Sequence, residues 1–377
     1  MKLVFYSVVL NHHQAPVADA FYQLLGDDYV FVETTDIGDT KGSIEDYSKR
    51  PYLLRAWKDA KEYGKAMELA QTAEVCVFSG VAALPFQKER MKRGLMSFDM
   101  SERWLKRGIM NVFSPTILKM WMAYIWGRWN RKSLYKLCSG AYVATDQYKL
   151  GTFKNKCYKW GYFTKVTSDN IEKTSACDEN EVVRMMWCAR FIDWKHPEMP
   201  VELACRLREK GYRFHIDMYG DGPLRDKIQK RIYGKNLSEY ISLKGNVPNE
   251  SIQKAMSDSD IFLFTSDRQE GWGAVANEAM ANRCCLVGAD EIGAVPYLVH
   301  DGENGLVFKA NSVGSLYEKV KMLLDNPSMI DVLSEQGYKD MADFWSPQNA
   351  ARSLLTLIYD LQKGKDTSIM SGPCSKA

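Results

Sequence analysis

The chain has 377 residues, more than one ordinary domain holds, so two hydrophobic cores are expected. Hydrophobic residues make up 46% and charged residues 26%, the mix of an ordinary globular protein, and a net charge of +3 is too small to single out a polyanion as partner. Nine cysteines, an odd number without a close Cys-x-x-Cys pair, argue against a disulfide framework or a zinc site and for a reducing cytoplasm.

The first apolar run, residues 3–10, follows Lys2 and has the outline of a short signal peptide. No small-residue cleavage site comes after it and Asn11-His12-His13-Gln14 begins at once, so the run reads as a buried strand. Strand-like runs recur at 29–33, 75–79, 95–98 and 141–144, separated by polar or helical stretches such as 16–25 and 53–73. Such alternation predicts an open α/β sheet whose ligands lie outside the carboxyl ends of the strands. Two segments fall there: His12-His13-Gln14 after the first strand and Asp99-Met100-Ser101-Glu102-Arg103 after a later one. Their plain reading is loop residues, with Ser101 capping a following helix.

From 88 to 136 the chain carries twelve Lys or Arg residues against three acidic ones, interleaved with Trp104, Phe113, Trp121, Tyr124, Trp126, Trp129 and Tyr135. Its apolar part, 117–126, is far shorter than the ~18 residues that crossing a bilayer takes, and no run of that length occurs anywhere. A basic, tryptophan-rich segment suits an anionic membrane surface. The alternative is a helix packed inside the domain with a solvated basic face; a nucleic-acid patch suits least, and no nucleic-acid partner is expected.

Residues 164–180 are polar, without an apolar period, and read as an interdomain linker. Beyond them strands at 184–189, 214–219, 241–244, 261–264 and 284–288 alternate with helices at 199–210, 224–233, 250–257 and 274–282, the order of a doubly wound parallel sheet. Gly220-Asp221-Gly222-Pro223 lacks the third glycine of a dinucleotide fingerprint and reads as a tight turn. Asp258-Ser259-Asp260 precedes a buried strand at its amino end, far from the ligand rim, and reads as turn chemistry rather than a metal site. A last helix starts at Ser346 with Pro347 at its first position.

One stretch organises this half: Glu270-Gly271-Trp272-Gly273-Ala274-Val275-Ala276-Asn277-Glu278, between the 261–264 strand and the helix it opens. Free N–H groups at a helix start, with Gly271 and Gly273 allowing close approach to the backbone, make a seat for phosphate. Glu270 and Glu278 flank it and suit sugar hydroxyls, although taken alone they read as an acidic helix start and a solvated helix residue. Arg190 and Lys195, after the 184–189 strand, fall on the same rim; a guanidinium grips phosphate oxygens in pairs and an ammonium adds a point charge.

Residues 270–281, with Asn304-Gly305 downstream, resemble the donor-site signature of retaining GT-B glycosyltransferases of family 4, the group 1 glycosyltransferases, of the bacterial polysaccharide type. Members usually show a glutamate, Gly-Phe-Gly and a second glutamate followed by Ala-Met-Ala; here Trp272 replaces the phenylalanine. Arg190 and Lys195 resemble the family's Gly-Arg…Lys-Gly element, with Ala189 and His196 in place of its glycines. Gly220 to Pro223 matches a family landmark, Ser101-Glu102-Arg103 resembles a segment near the acceptor site in one bacterial branch, and Val247 falls where members place the nucleobase. The loop after the first strand is commonly glycine-rich in the family; lacking Gly-Gly, this chain has the side chains of His12, His13 and Gln14 as the substitute.

The resemblance implies an α/β GT-B fold: two Rossmann-like doubly wound domains facing a central cleft, with residues 1–170 binding acceptor and 171–345 binding nucleotide sugar. A helix over 346–365 would return to the N-terminal domain and 366–377 would form a loose tail. It implies retaining transfer, without a metal or other cofactor, from a nucleotide-diphosphate sugar to a hydroxyl of a glycan or lipid-linked acceptor, in the cytoplasm or on the inner face of the membrane. Arg190, Lys195 and Glu270 would be catalytic; Gly271, Trp272, Gly273, Ala274, Val275, Glu278 and Val247 would bind donor; His12, His13, Gln14, Ser101 and Glu102 would lie on the acceptor side. The rival readings are a non-catalytic nucleotide-sugar-binding or scaffolding subunit and a GT-B epimerase of the nucleotide sugar.

Overall fold

The computed structural model describes residues 1–36, 47–125, 131–166 and 182–377; Trp126, Arg128, Trp129 and most of the expected linker lie outside the described residues. The chain forms two compact units, Met1–Thr164 with Trp345–Ala377, and Lys165–Phe344.

The first unit is built on seven strands: β1 (Leu3–Ser7), β2 (Tyr29–Glu33), β3 (Leu53–Arg55), β4 (Val75–Ser79), β5 (Ser97–Ser101), β6 (Leu134–Ser139) and β7 (Cys157–Trp160). They pair in parallel in the order β3-β2-β1-β4-β5-β6-β7, so the winding reverses between β1 and β4. Every residue of β1 is buried, because helices cover both faces of a doubly wound sheet and its central strand has no solvent side. Tyr6 stacks on Phe78 and Phe86 at 4.9 and 5.1 Å in one of the two layers.

Two strand expectations fail here for one reason. Asp99 in β5 and Lys136 in β6 are register partners that pair as ions in the interior, and Lys136 also bonds Ser101 Oγ at 2.8 Å. Charges inside the strands hide their apolar pattern, so β5 runs to 101 rather than ending at 98 and β6 escapes the sequence pattern altogether. The expected strand at 141–144 belongs instead to a turn and the helix Val143–Lys149, whose Val143 and Ala144 face the core. Ser101 ends a strand and caps no helix; its Oγ accepts from Trp104 Nε1 and Lys136 Nζ.

The C-terminal helix Pro347–Gln362, capped by Ser346 Oγ on the Asn349 amide, packs against the helix Ala15–Leu25. The stretch 366–377, expected as a loose tail, is instead tied to the sheet. Cys374 and Ser375 are buried, the Cys374 and Ala377 amides bond the carbonyls of Lys159 and Cys157, and Lys376 pairs with Asp366 at 2.8 Å. β7 is the edge of the sheet, and the tail satisfies its otherwise open backbone groups.

The second unit has six parallel strands: β8 (Val183–Cys188), β9 (Phe214–Tyr219), β10 (Ile241–Gly245), β11 (Ile261–Phe264), β12 (Cys285–Ala289) and β13 (Leu306–Phe308). Their order is β10-β9-β8-β11-β12-β13, with the winding reversing between β8 and β11. Asp260 accepts the Arg184 amide at 2.8 Å at the amino ends of β8 and β11, opposite the ligand rim. No helix of the described residues is long and apolar enough to cross a membrane.

Candidate active site at the switch point of the second unit

The loops leaving β8 and β11 diverge from adjacent strands, and hydrogen bonds stitch them together. Thr265 Oγ1 accepts from Trp187 Nε1 at 2.8 Å and donates to the Lys195 carbonyl at 2.8 Å, and the Asp267 amide reaches the Trp194 carbonyl at 3.0 Å. Lys195 closes the short 3-10 turn Asp193–Lys195 and forms an ion pair with Glu270. Both side chains are largely shielded, so this pair is screened less than a surface pair would be. Arg190 is exposed on the same loop, and among the described residues its guanidinium pairs with none.

The positions where the sequence departs from the family's glycines have separate explanations. His196 has φ +51°, the left-handed region that a glycine occupies without strain. Its ring bonds Glu198 at 2.9 Å and lies 3.5 Å from Asp267, which holds the residue in place and raises its pKa, with the Glu198 hydrogen bond the larger cause. Ala189 needs no such freedom; the close approach there is provided by Gly220, where a Cβ would come within 2.0 Å of the Ala189 carbonyl oxygen. Gly222 likewise clears the backbone of Phe191, so the Gly-Asp-Gly-Pro turn exists to let β9 pack on the loop that carries Arg190.

The turn after β11 corrects the expected phosphate seat in two respects. Gly273 has φ +93° and the place of a Cβ is taken by the Phe264 ring at 2.4 Å, while a Cβ on Gly293 would meet the Gly271 carbonyl oxygen at 1.7 Å. Gly273 and Gly293 are therefore required by protein packing, whatever a ligand adds. The Trp272 side chain is fully buried, with Nε1 bonded to Asn277 Oδ1 at 2.8 Å, so only its backbone can meet a donor. The helix that follows is short, Val275–Ala281, and any anion held there rests on individual first-turn amides more than on a macrodipole.

Glu278 lies on that helix, and burial raises its carboxyl to about 7. It is close enough to the end of β8 to help push the Cys188 thiol up to about 12, behind the larger effect of burial. Val247 follows β10, whose Gly245 carbonyl accepts the Gly220 amide at 2.8 Å. Asn304, part of the signature, is buried and bonds Leu298, Asp340 and the His300 amide, which is a loop-holding role.

On the carboxyl rim of the first unit, the turn after β1 is held by Asn11, which accepts from the amides of His13, Gln14 and Ala15. Gln14 Nε2 donates to Ser7 Oγ at 3.1 Å. The His12 and His13 rings lie 3.8 Å apart; burial pushes both imidazoles down, His13 to about 4, so both are neutral near pH 7. Sequence reasoning missed Tyr162, just after β7, whose ring is 6.0 Å from that of His13 and whose hydroxyl bonds Glu102 Oε1 at 3.2 Å. Only its place beyond a strand end could have signalled it. Glu102 also pairs with Lys106.

A parallel six-stranded sheet whose winding reverses between β8 and β11 puts a ligand crevice at the carboxyl ends of those strands, where the Lys195–Glu270 pair lies. Residues 169–340 match the family model of glycosyl transferases group 1. It is 26% identical over 195 residues to alpha-D-kanosaminyltransferase of Streptomyces kanamyceticus, covering 52% of this chain and 47% of the relative. It is 34% identical over 172 residues to an uncharacterized glycosyltransferase of Methanocaldococcus jannaschii, covering 46% and 47%. The chain thus spans about half the length, or less, of the curated relatives it matches. The fold extends further: the structure of Anabaena HepE in complex with UDP and glucose matches 95% of this chain and all of that one, at a TM-score of 0.67 and 15% identity. The two Rossmann-like α/β units are thus of the GT-B class.

Proposed function

We propose that the protein transfers a sugar from a nucleotide-diphosphate donor to a hydroxyl of a glycan or lipid-linked acceptor, with retention at the anomeric carbon. The observation that carries this reading is the Lys195–Glu270 pair beside the Gly271–Ala274 turn at the switch point of the second unit, with Arg190 unpaired on the same loop. Relatives named for transfer of sugars to poly(ribitol-phosphate) and poly(glycerol-phosphate) support a glycopolymer acceptor.

In this reading Arg190 and Lys195 stabilise charge on the departing diphosphate, and the amides at 272–275 receive its oxygens. Donor binding takes Lys195 partly away from Glu270, whose carboxylate then accepts from the sugar hydroxyls; Glu278 accepts from the ribose. Val247 backbone meets the base. The acceptor hydroxyl attacks from the face the diphosphate leaves and passes its proton to a phosphate oxygen, so no carboxylate nucleophile is needed. Two side-chain cations supply the charge that a divalent metal supplies elsewhere, so chelation should leave turnover unchanged. On the acceptor side, the buried and unpaired Nδ1 of His13, with Glu102 and Tyr162, offers hydrogen bonds to a hydroxyl.

A thermal-shift screen of nucleoside diphosphates and their sugars tests donor binding, because a ligand of the folded state raises the melting temperature. No shift with any of them would sink the reading. Product analysis with a shifting donor then separates transfer from epimerisation: free epimerised sugar without acceptor would favour the epimerase.

A further inference from the structure

The basic region 88–136 is not the surface its sequence suggests. Arg90 is fully buried and donates to the carbonyls of Ala70, Ala73, Glu74 and Met96; Lys136 is paired in the core; Arg103 binds Asp146. Trp104 is buried, Trp121 donates to the Leu150 carbonyl at 3.0 Å, and Tyr124 stacks on Phe153 at 4.6 Å. These side chains, which the sequence offers as membrane anchors, are therefore engaged within the unit.

A different set points outward. In the 3-10 turn Ile109–Phe113, Ile109, Met110 and Phe113 are 57, 70 and 68% exposed. The turn is held by hydrogen bonds: Gly108, Asn111 and Ser114 amides bond the carbonyls of Leu105, Gly108 and Asn111, and the Asn111 side chain donates to the Trp104 carbonyl. The following helix Pro115–Ile125 buries no residue, and its exposed positions Pro115, Thr116, Lys119 and Met122 form one stripe at helical spacing. Arg107 is exposed at the base of the turn, and no Asp or Glu occurs between Glu102 and Asp146.

We propose that this spur docks the protein on an anionic lipid bilayer, with Ile109, Met110 and Phe113 entering the boundary between headgroups and acyl chains and Arg107 and Lys119 facing lipid phosphates. Three large apolar side chains held out by a bonded backbone, with exposed Arg107 and Lys119 beside them and no acidic residue from 103 to 145, match the two components of interfacial binding. A protein partner would match the apolar part but would not require the two exposed cations beside it. The proposal rests on the lipid-linked-acceptor half of the functional reading. Glu102, the acceptor-side carboxylate, lies at the foot of the spur, so a docked bilayer would present the head of a lipid-linked acceptor to that rim.

The test is sedimentation of the full chain with phosphatidylglycerol vesicles and with phosphatidylcholine vesicles at low salt, for wild type, for Met110→Asp/Phe113→Asp, and for Arg107→Ala and Lys119→Ala. Wild type should partition onto the anionic vesicles. The double variant should bind at least about tenfold less and each cation variant about fivefold less, the effect of about one surface charge. Melting temperature and the nucleotide-induced shift, read without vesicles, should be unchanged in all variants, which separates failure of docking from failure of donor binding. A double variant that binds like wild type, or a wild type that stays in the supernatant, overturns the proposal. So does a wild type that ignores vesicles but forms a dimer that the double variant converts to monomer, which would make the spur a protein interface.

Discussion

The two units share one winding and use it differently. Each places its reversal beside its first strand, between β1 and β4 in one and between β8 and β11 in the other. In the second unit the rim there carries a largely shielded ion pair and the exposed Arg190, which has no partner among the described residues. In the first unit several strong charges have been drawn inward: Arg90 holds four backbone carbonyls together and Lys136 pairs with Asp99 across two strands, while the rim keeps neutral imidazoles and a tyrosine beside the Glu102–Lys106 pair. Strand order therefore decides where a ligand can sit, and the side chains at that place decide which ligand. In the proposed function the cationic rim serves a leaving diphosphate, and the imidazole-bearing one serves hydroxyls.

The contrast can be broken most sharply at its two cationic centres. Arg90→Ala should destabilise the protein by about 3 kcal/mol or more, because each lost charged hydrogen bond leaves a buried carbonyl unsatisfied; urea denaturation reads it, and a change near zero would mean that water replaces the guanidinium. Arg190→Ala should instead leave the unfolding midpoint almost untouched and Lys195→Ala should lower it, since Glu270 loses its partner, while each lowers turnover by about two orders of magnitude. Wild-type turnover in either variant would falsify the leaving-group assignment.

Smaller effects sharpen the picture of the second rim. Gly293→Ala forces a Cβ against the Gly271 carbonyl, so the two loops must part; the expected cost is about 1–3 kcal/mol together with weaker nucleotide binding by calorimetry. Glu278→Gln should act through pH. The folded carboxyl titrates at about 7, above its unfolded value of 4.5, so the folded state holds the extra proton between these values and wild type loses stability as pH rises through that window. The glutamine variant should therefore melt higher than wild type at pH 8 and nearly alike at pH 4, while the ribose role predicts that it binds donor less tightly. A difference from wild type that does not grow with pH contradicts a buried carboxyl. Last, Ser346→Ala removes the cap of the C-terminal helix and should cost about 1 kcal/mol.

Most of the second unit can be read from the residues alone. Its strands at 214–219 and 261–264 and its β-α order emerge as written, because buried parallel strands are continuous apolar runs bounded by polar turns. Strand polarity alone also puts the Glu270 turn, Arg190 and Lys195 on one rim. Less is legible in the first unit. Its β5 and β6 carry an acid and a base that neutralise each other across the sheet, and a one-dimensional pattern shows only two polar interruptions. The tail at 366–377 has the composition of a loose end, but its backbone completes the bonds of β7.

What the sequence alone determined is the class and order of most elements of the second unit and the charges available at the strand ends, since these follow from local periodicity and from the handedness of β-α-β connections. Tertiary structure alone decided which charges stay free to do chemistry and which residues are spent on packing. Trp272 and Trp104 went inside, Gly220 and Gly293 serve neighbouring loops, and Ile109, Met110 and Phe113 remained outside. The physical reason is that burial and pairing depend on partners distant in the chain. A lysine beside an aspartate in the next strand and a lysine beside a glutamate on a rim look the same in sequence, and only the fold separates them.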